Sequence, residues 1–288
     1  MIAITGSTGH LGRLVIADLL RRGVPPAEVV AIARDPDKAS ALADQGVVVR
    51  EGDYDRPETL GPALDGVDRL LLISASEPGK RVAQHRAVID AATEAGVGLV
   101  AYTSILRADT SEIGLAEEHR RTEAMIAESG LPHVVFRNGW YTENYTGSLG
   151  AALEHGAVLG SAGDARISAA PRADYAAAAA AVLTADAPAG RTYELAGPPF
   201  TMAEYTAELT RQSGTEVAYV DLPEAAYREA LVEAGLPAPV AAMLAQSDAA
   251  ARGGALDGPT TDLEALLGRP PTPMPAVVAE ALAARDAD

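Results

Sequence analysis

Thr5-Gly6-Ser7-Thr8-Gly9-His10-Leu11-Gly12 decides the fold of this 288-residue chain. The stretch follows an apolar run at residues 1–5, and residues 13–20 after it carry apolar side chains at helical spacing. A strand, a glycine-rich turn and a helix in immediate succession are typical of the first unit of a doubly wound α/β domain. This context makes the glycine motif a far more specific indicator of dinucleotide binding than the spacing of its glycines would be alone.

The glycines of this motif lie at G-x-x-G-x-x-G spacing, and each has its own expected role. Gly6 permits a sharp exit from the strand, Gly9 lets the backbone approach a pyrophosphate, and Gly12 lets the helix pack closely against the sheet. The helix N-terminus offers unpaired N–H groups and a partial positive charge to the anion. A glycine-rich turn in another kind of α/β protein is the alternative. The predicted pyrophosphate-binding residues are Gly6, Ser7, Thr8, Gly9, His10, Leu11 and Gly12.

The rest of the chain continues the alternation of apolar runs and helices, which predicts a Rossmann-type, doubly wound parallel sheet. We predict an NAD(P)-binding domain at residues 1–139, to which residues 172–197 return as a helix and a strand. Residues 140–171 and 198–288 are expected to form a smaller, mixed substrate-binding part, with a helix over 141–155 and a short strand at 166–168. The N-terminal strands are expected at residues 1–5, 29–34, 47–53, 68–74, 98–104 and 133–138.

Composition and charge argue against several classes of function. The net charge of −17 argues against binding to nucleic acid or to an anionic membrane. The chain has no cysteine, which excludes disulfides and thiolate chemistry. The 5 histidines are scattered without the spacing of metal ligands, so we expect no metal site. The chain begins on its first strand and has no apolar run of about 18 residues, which predicts a cytoplasmic protein without a membrane span.

Residues at the ends of later strands are candidates for binding the rest of a dinucleotide. Arg34 ends strand two and favours NADPH over NADH, because an arginine suits a 2′-phosphate. A solvated surface arginine is the alternative. Asp53 is expected beside the adenine or as a helix N-cap. The small residues at the end of strand four either let the cofactor pass across the edge of the sheet or only make a turn. The further candidates are Ser74, Ala75, Ser76, Glu77, Pro78, Tyr102 and Thr103.

The helix after strand five lacks a feature that decides the reaction class. Short-chain dehydrogenases place Tyr-x-x-x-Lys there, whereas this helix carries His119 and Glu123 but no such pair. Alcohol–ketone interconversion needs a group that manages the hydroxyl proton. A quinone accepts hydride readily, so holding its ring beside a nicotinamide supplies most of what its reduction requires. His119 is a candidate proton donor, although a lone histidine on a polar helix face is more often solvated.

Aromatic and amide side chains follow strand six, where the cleft is expected. Tyr141 and Asn144 are candidate catalytic residues, because aromatic faces suit a flat ring and amides bind a carboxamide or a quinone oxygen. Ordinary packing is the alternative for Trp140. Arg172 either faces the cofactor or belongs to a charge cluster. The candidate cofactor-binding residues of this region are Asn138, Gly139, Trp140, Asn144 and Arg172.

Seven parts of the sequence, taken together, resemble a known protein family. They are TGSTGHLG (5–12), Arg34, LLLIS (70–74), YTS (102–104), RNGWYTENY (137–145), RADYA (172–176) and TDLEALLGRP (261–270). Together they resemble the NmrA-like atypical short-chain dehydrogenases, and within them the NADPH-dependent quinone oxidoreductases of type 2. The resemblance implies NADPH as cofactor, no flavin, and hydride transfer to small quinones, while similar enzymes also reduce azo and triphenylmethane dyes. It further implies that residues 6–11, Arg34, 76–78, Asn144 and 171–176 line the cofactor.

Two other functions stay open at this point. One is a redox-sensing regulator that binds NADP(H) without turnover. The other is an oxidoreductase or isomerase for another metabolite, in which Glu123 or His119 has a catalytic role. The polar and aromatic residues expected over the nicotinamide favour an enzyme, and a reductase with a small-molecule quinone or dye-like acceptor is the leading hypothesis. Dimers are frequent in related folds, so a homodimer also stays open, although no pattern of residues in the sequence identifies an interface.

Overall fold

The computed structural model describes residues 1–77, 79–185 and 189–287. Its strands include six that coincide, to within a few residues, with the N-terminal strand segments predicted from the sequence. Within the described ranges the strands are β1 (Ile2–Ile4), β2 (Val29–Ala33), β3 (Val48–Glu51), β4 (Arg69–Leu72), β5 (Leu99–Ile105), β6 (His133–Asn138), β7 (Ala157–Gly160), β8 (Arg191–Leu195) and β9 (Ala218–Asp221).

Helices connect these strands and cover the C-terminal part. Among the described residues, no helix is both long and apolar enough to cross a bilayer. The α-helices are α1 (His10–Arg21), α2 (Ser40–Ala43), α3 (Leu60–Leu64), α4 (Arg81–Glu94), α5 (Ala116–Glu128), α6 (Glu143–Thr146), α7 (Leu149–His155), α8 (Arg172–Thr184), α9 (Met202–Ser213), α10 (Glu224–Glu233), α11 (Ala238–Ala251), α12 (Thr261–Leu267) and α13 (Met274–Ala287).

The main sheet has seven strands in the order β3-β2-β1-β4-β5-β6-β8. All neighbouring strands run parallel. β1 lies between β2 and β4, so the chain order reverses there, and a crevice forms outside the carboxyl ends of the strands. β8 pairs with β6, which returns the chain to the sheet. The predicted Rossmann-type, doubly wound fold is confirmed.

Apolar layers cover both faces of this sheet, which explains why β1 and β2 near its centre consist wholly of apolar residues. Every residue of β2 is buried. Ile4, Ala31 and Phe136 pack with residues of α1 and α8 on one face. Ala3 and Val30 pack with residues of α3, α4 and α5 on the other, as the alternation of side chains along a strand requires. Two packed layers therefore hold the strand ends that build the site.

A third apolar cluster lies mainly in the C-terminal part of the chain. It includes Leu149 of α7, Ile167, Phe200, and Tyr205 and Leu209 of α9. β7 and β9 pair in parallel as a separate two-stranded sheet. Most residues of this cluster belong to the segments assigned above to the substrate-binding part. The division of the chain into two parts stays a prediction.

The predicted single helix over 141–155 is wrong. The structure has two helices instead, α6 and α7, with a break at residues 147–148. The Ser148 hydroxyl donates to the Tyr145 carbonyl at 3.1 Å and so competes with the helical hydrogen bonds.

The predicted strand over 166–168 is also wrong. Only Ile167 forms a β-bridge there, antiparallel to Phe200. The pairing does not extend, because the Ser168 N–H donates to the Leu256 carbonyl and the Ser168 carbonyl accepts from Gly197.

Candidate functional site

A cavity of about 550 Å³ lies where the chain order of the sheet reverses. It is lined by the turn after β1, the segments after β2, β3 and β4, and the start of α8. Open α/β sheets bind their ligands at this position. The predicted site residues that line it are Gly6, Thr8, Gly9, His10, Leu11, Gly12, Arg34, Asp53, Ser74, Ala75, Ser76, Glu77, Thr103, Tyr141 and Arg172.

The glycine turn on one side of the cavity has the geometry that its sequence predicts. Gly6 adopts φ 57°, a left-handed conformation that favours glycine. Gly12 lies so close to the turn that a Cβ there would be 2.4 Å from the Gly6 carbonyl oxygen. α1 begins at His10, and within the described residues no side chain caps it at Gly9. Its first N–H groups are therefore available to an anion.

Charged side chains surround the end of β2. The exposed Arg34 guanidinium lies 3.5 Å from the Glu77 carboxylate, and both residues line the cavity. Lys38 lines it as well, with its amino group 3.7 Å from the Asp35 carboxylate. Asp35 accepts a hydrogen bond from the Asp37 N–H, so it shapes the turn. Two cations thus lie where the phosphate-bearing ribose of a dinucleotide is expected.

The segment after β3 forms an adjoining part of the wall. The Asp53 carboxylate accepts a hydrogen bond from the Asp55 N–H at 3.0 Å and closes a turn. The N-cap of the following helical segment is Arg56, so the alternative role for Asp53 as a helix cap is wrong. The Tyr54 hydroxyl donates to the Ile73 carbonyl at 3.3 Å, and burial raises the pKa of this phenol. The ring of Tyr54 is therefore held in the wall in its protonated form.

The segment after β4 leaves the sheet in a way that opens the crevice. Once β4 ends, the next three backbone N–H groups donate to side chains instead of to neighbouring strands. These bonds, each 2.9 Å long, run from Ile73 to the Thr5 hydroxyl, from Ser74 to the Thr103 hydroxyl and from Ala75 to His85 Nε2. The strand ladder is thus replaced by side chains where residues 73–77 line the cavity.

Tyr141 and Arg172 line the cavity beside the start of α8. The Arg172 guanidinium carbon lies 4.4 Å from the centre of the Tyr141 ring. Arg172 also donates to Asn144 Oδ1 at 3.0 Å, and its backbone N–H donates to the Glu143 carboxylate. Burial raises the pKa of Tyr141, and the charge of Arg172 and the amide of Asn138 oppose this effect. The phenol is therefore protonated at neutral pH and able to donate a hydrogen bond to a ligand.

Several residues predicted to bind a cofactor lie behind the wall and not in it. Ser7 is buried, and its hydroxyl donates to a β2 carbonyl at 2.8 Å. Tyr102 is fully buried on β5, where its hydroxyl shares a 2.7 Å hydrogen bond with His119 Nδ1. Gly139 donates its N–H to the Leu195 carbonyl and packs against the returning strand. These three predictions of a direct cofactor contact are not supported by the geometry.

Asn138, Trp140 and Asn144 are also outside the cavity lining found among the described residues. Asn138 is buried beside Tyr141, and its Oδ1 has no hydrogen-bond partner in the described part of the chain. Trp140 is half-buried against the third apolar cluster, which favours the packing alternative. Asn144 is exposed and acts on the cavity only through Arg172. Pro78, predicted with them, lies outside the described residues.

The expectation that His119 is solvated is wrong. Its side chain is buried at 5% exposure, and this burial, with Arg81 and His85 nearby, lowers its pKa well below the ordinary value. Glu123 accepts a hydrogen bond from Ser104 and forms an ion pair with Arg137. Neither residue lines the cavity, because α5 turns both towards β5 and β6. A catalytic role for either has no geometric support.

Sequence reasoning missed lining residues on α4 and beside the predicted segments. Arg81 and Gln84 are only 5% and 4% exposed, yet both line the cavity. They are three positions apart and therefore share the helix face that packs against the sheet. The sequence feature that could have identified them is the presence of polar residues at helix positions that face the sheet. Lys38 and Tyr54 were missed as well, although each lies close to a predicted residue.

The charge of the cavity differs from that of the whole chain, which has a net charge of −17. Four basic side chains line it against three acidic ones. Together with the uncapped start of α1, this donor set fits a dinucleotide that carries an additional phosphate. In the described part of the chain, no three His, Cys, Asp or Glu side chains are grouped to hold a metal ion. The basic residues are Arg34, Lys38, Arg81 and Arg172, and the acidic ones Asp35, Asp53 and Glu77.

The sequence profile of the NAD(P)H-binding family matches residues 6–186. The matched range holds the glycine turn, the wall after β4 and the start of α8, which are the parts that build the cavity. The chain belongs to the NAD(P)H-binding family.

Similar proteins cover almost the whole chain. Quinone oxidoreductase 2 of Escherichia coli is 53% identical over 273 residues, which are 94% of this chain and 95% of that protein. The crystal structure of an NADPH-dependent quinone oxidoreductase from Escherichia coli complexed with NADPH gives a TM-score of 0.95 at 51% identity, covering 98% of this chain and 100% of that one. Triphenylmethane reductase of Citrobacter sp. complexed with NADP(H) gives 0.93 at 39% identity, covering 98% and 100%. The predicted resemblance to type 2 quinone oxidoreductases is confirmed.

Proposed function

We propose that this chain is an NADPH-dependent oxidoreductase that transfers hydride directly from the nicotinamide to a quinone or a similar flat acceptor. The observation that carries the proposal is one continuous cavity that joins the glycine turn, the cations at the end of β2 and the Tyr141–Arg172 pair. The likeness to quinone oxidoreductase 2 and to triphenylmethane reductase supports the choice of acceptor class.

Each side of the cavity has its own task in this proposal. The N–H groups at the start of α1 bind the pyrophosphate, and Arg34 with Lys38 binds the 2′-phosphate. The wall at residues 73–77 supports the part of the cofactor between them. NADPH supplies the hydride when it is bound. Tyr141 and Arg172 position the flat acceptor, because an aromatic ring and a planar guanidinium both offer a face for stacking.

The absence of Tyr-x-x-x-Lys from α5 agrees with this acceptor class. Reduction of a quinone consumes a hydride and a proton, and the acceptor oxygen spreads its negative charge over the ring. A strong acid is therefore not needed, and water or the protonated Tyr141 hydroxyl supplies the proton. The residues of the chain act mainly by binding the two reactants in a fixed orientation.

Stereochemical labelling tests whether the hydride leaves a nicotinamide that is held in one orientation in the cavity. NADPH carrying deuterium at either of the two C4 positions is oxidised with benzoquinone, and the resulting NADP⁺ is weighed by mass spectrometry. A cofactor bound in one orientation gives label-free NADP⁺ from one stereoisomer and fully labelled NADP⁺ from the other. Mixed labelling from both stereoisomers would contradict oriented transfer within this cavity.

The finer expectations from the sequence remain predictions. They are the possible homodimer and the cytoplasmic location. We propose a small quinone as the first acceptor to test, because its flat ring suits the Tyr141–Arg172 pair.

A further inference from the structure

A buried histidine lies behind the cavity wall and does not line the cavity. His85, on α4, is fully buried. Its Nε2 accepts the Ala75 N–H at 2.9 Å, and its Nδ1 lies 3.0 Å from the Thr122 hydroxyl. A backbone N–H can only donate, so Nε2 carries no proton and the neutral ring holds its proton on Nδ1. These contacts specify one tautomer.

The Thr122 hydroxyl supports the same assignment. It donates its own proton to the Glu118 carbonyl at 2.9 Å, which leaves its oxygen free to accept from His85 Nδ1–H. The burial of His85, together with the nearby Arg81 charge, lowers the pKa of the ring to about 3. The imidazole therefore stays neutral at physiological pH, as an acceptor at Nε2 requires.

Ala75 is held at both of its backbone polar groups by side chains of α4. His85 accepts its N–H, and Arg81 Nε donates to its carbonyl at 2.9 Å. Arg81 is in turn fixed by an ion pair of 2.7 Å with Glu118 of α5. The wall is thus tied to two helices.

Ala75 depends on these helices more than its neighbours in the wall do. Ile73 and Ser74 donate their N–H groups to Thr5, directly after β1, and to Thr103 of β5, so the sheet itself positions their acceptors. Ala75 is one residue further from β4, and its N–H donates to His85 of α4. Without an acceptor from α4, its N–H would lose its partner, and the wall would lose one of its anchors.

We propose that His85 is a positioning residue for cofactor binding. Its unprotonated Nε2, oriented by Thr122, fixes the Ala75 backbone and with it the wall at Ser74, Ala75 and Ser76 that supports the dinucleotide. The inference rests on the proposed function. Because His85 itself does not line the cavity, it acts on the affinity for NADPH and not on the transfer step.

A purely structural role makes a different prediction. A buried polar pair that only stabilises the fold changes the folded fraction and leaves the affinity of each folded molecule unchanged. The test must therefore measure affinity and folded fraction on the same samples.

The variants separate the acceptor from the bulk of the ring. His85→Gln keeps an acceptor atom near the position of Nε2, while His85→Leu removes it. Thr122→Val removes the group that holds the tautomer and nearly preserves the shape. His155→Leu, at an exposed position of α7, is the matched control. NADPH titration by calorimetry, circular dichroism, and kcat and KM with benzoquinone are measured for each.

The expected pattern is a change in KM without a matching change in kcat. His85→Leu should weaken NADPH binding and raise its KM about ten-fold, since an unpaired N–H is left in the wall. kcat at saturating NADPH should stay within about two-fold, because the reacting groups are untouched. His85→Gln should recover most of the affinity, Thr122→Val should lose part of it, and His155→Leu should match the unmodified protein.

Each failure has a separate meaning. Unchanged NADPH affinity in folded His85→Leu would overturn the inference. If that variant does not fold, Thr122→Val decides, and an affinity equal to that of the unmodified protein overturns the inference. Absence of NADPH binding by the unmodified protein would overturn the proposed function and this inference with it, whereas normal binding that no variant alters would overturn the inference alone.

Discussion

The Arg172 guanidinium carbon lies 4.4 Å from the centre of the Tyr141 ring, which joins the start of α8 to the loop after β6. Tyr175 contacts the same ring edge-on, with ring centres 5.4 Å apart. Asn144 Oδ1 accepts a hydrogen bond from Arg172 and fixes the guanidinium in this position. Tyr141, which lines the cavity, is therefore held from two sides.

Tyr141→Phe should lower kcat/KM for benzoquinone about five- to ten-fold, because it removes one hydrogen bond worth about 1–1.5 kcal/mol and keeps the ring. The affinity for NADPH should change little. Steady-state kinetics and an NADPH titration measure the two effects, with Tyr193→Phe on β8 as the control. Equal kcat/KM in the Tyr141→Phe variant and the unmodified protein would exclude a role for this hydroxyl.

Arg34→Ala should reduce kcat/KM for NADPH about 10- to 100-fold and leave the value for NADH nearly unchanged. The reason is the loss of charge-assisted hydrogen bonds to the 2′-phosphate, which only NADPH carries. The ratio of the two kcat/KM values is the measurement. Arg166→Ala, an exposed arginine outside the cavity lining of the described residues, is the control. A ratio that does not change would show that Arg34 is only a solvated surface residue.

Gly12→Ala should unfold or strongly destabilise the protein and abolish NADPH binding. An added Cβ would lie 2.4 Å from the Gly6 carbonyl oxygen and 2.8 Å from Ser7 Cα, both of them backbone atoms. Overpacking of this kind costs about 1–3 kcal/mol or more. Gly61→Ala in α3 is the control, because an added Cβ meets no atom within 4 Å there. Chemical denaturation compares the two, and equal stability would show that the turn adjusts freely.

Stability should fall as the pH is lowered below about 6.5, the ordinary pKa of histidine. Burial, with nearby positive charge, lowers the pKa of both His85 and His119 in the folded state. Below that pH the unfolded chain binds protons that the folded chain does not, so acid favours unfolding. Two such rings give a slope of up to about 2.7 kcal/mol per pH unit.

Urea denaturation between about pH 6 and pH 5 measures this slope before most carboxylates titrate. His85→Gln removes one of the two groups and should reduce the slope by about half. His155→Gln, which changes an exposed histidine, should leave the slope intact. Equal slopes for His85→Gln and the unmodified protein would contradict the buried, neutral state of His85.

The order of elements could be predicted because the signals are local. β2 is buried at every residue, so its apolar run stands out from the polar turns on both sides. Gly6 and Gly12 are required by backbone geometry within the turn itself, which depends on little beyond the motif. The position of the cavity follows from these elements, because the chain order must reverse beside β1.

The inward or outward direction of single side chains could not be predicted in the same way. Tyr102 and Thr103 are neighbours on β5, but successive residues of a strand point to opposite faces. Thr103 lines the cavity, while Tyr102 is buried against His119. The sequence places both at the same strand end and does not give the face that each one occupies.

The contribution of α4 to the cavity wall could not be predicted from the sequence for another reason. Arg81 and His85 act on Ala75, which lies in a different element, and their contact depends on how the helix packs on the sheet. On a helix with mixed polar and apolar residues, the buried face is not evident from the pattern alone. His119 on α5 was misjudged in the same way, because its helix turns a partly polar face inwards.

The proposed function requires that this cavity bind NADPH in preference to NADH and that the hydride pass to a flat acceptor. The most direct test is the loss of reduced-nicotinamide absorbance with benzoquinone, a naphthoquinone and an azo dye, with NADPH and NADH measured in parallel. We predict rapid quinone turnover with a clear preference for NADPH. Tight NADPH binding without turnover on any acceptor would contradict this function and would instead favour a regulator that senses NADP(H).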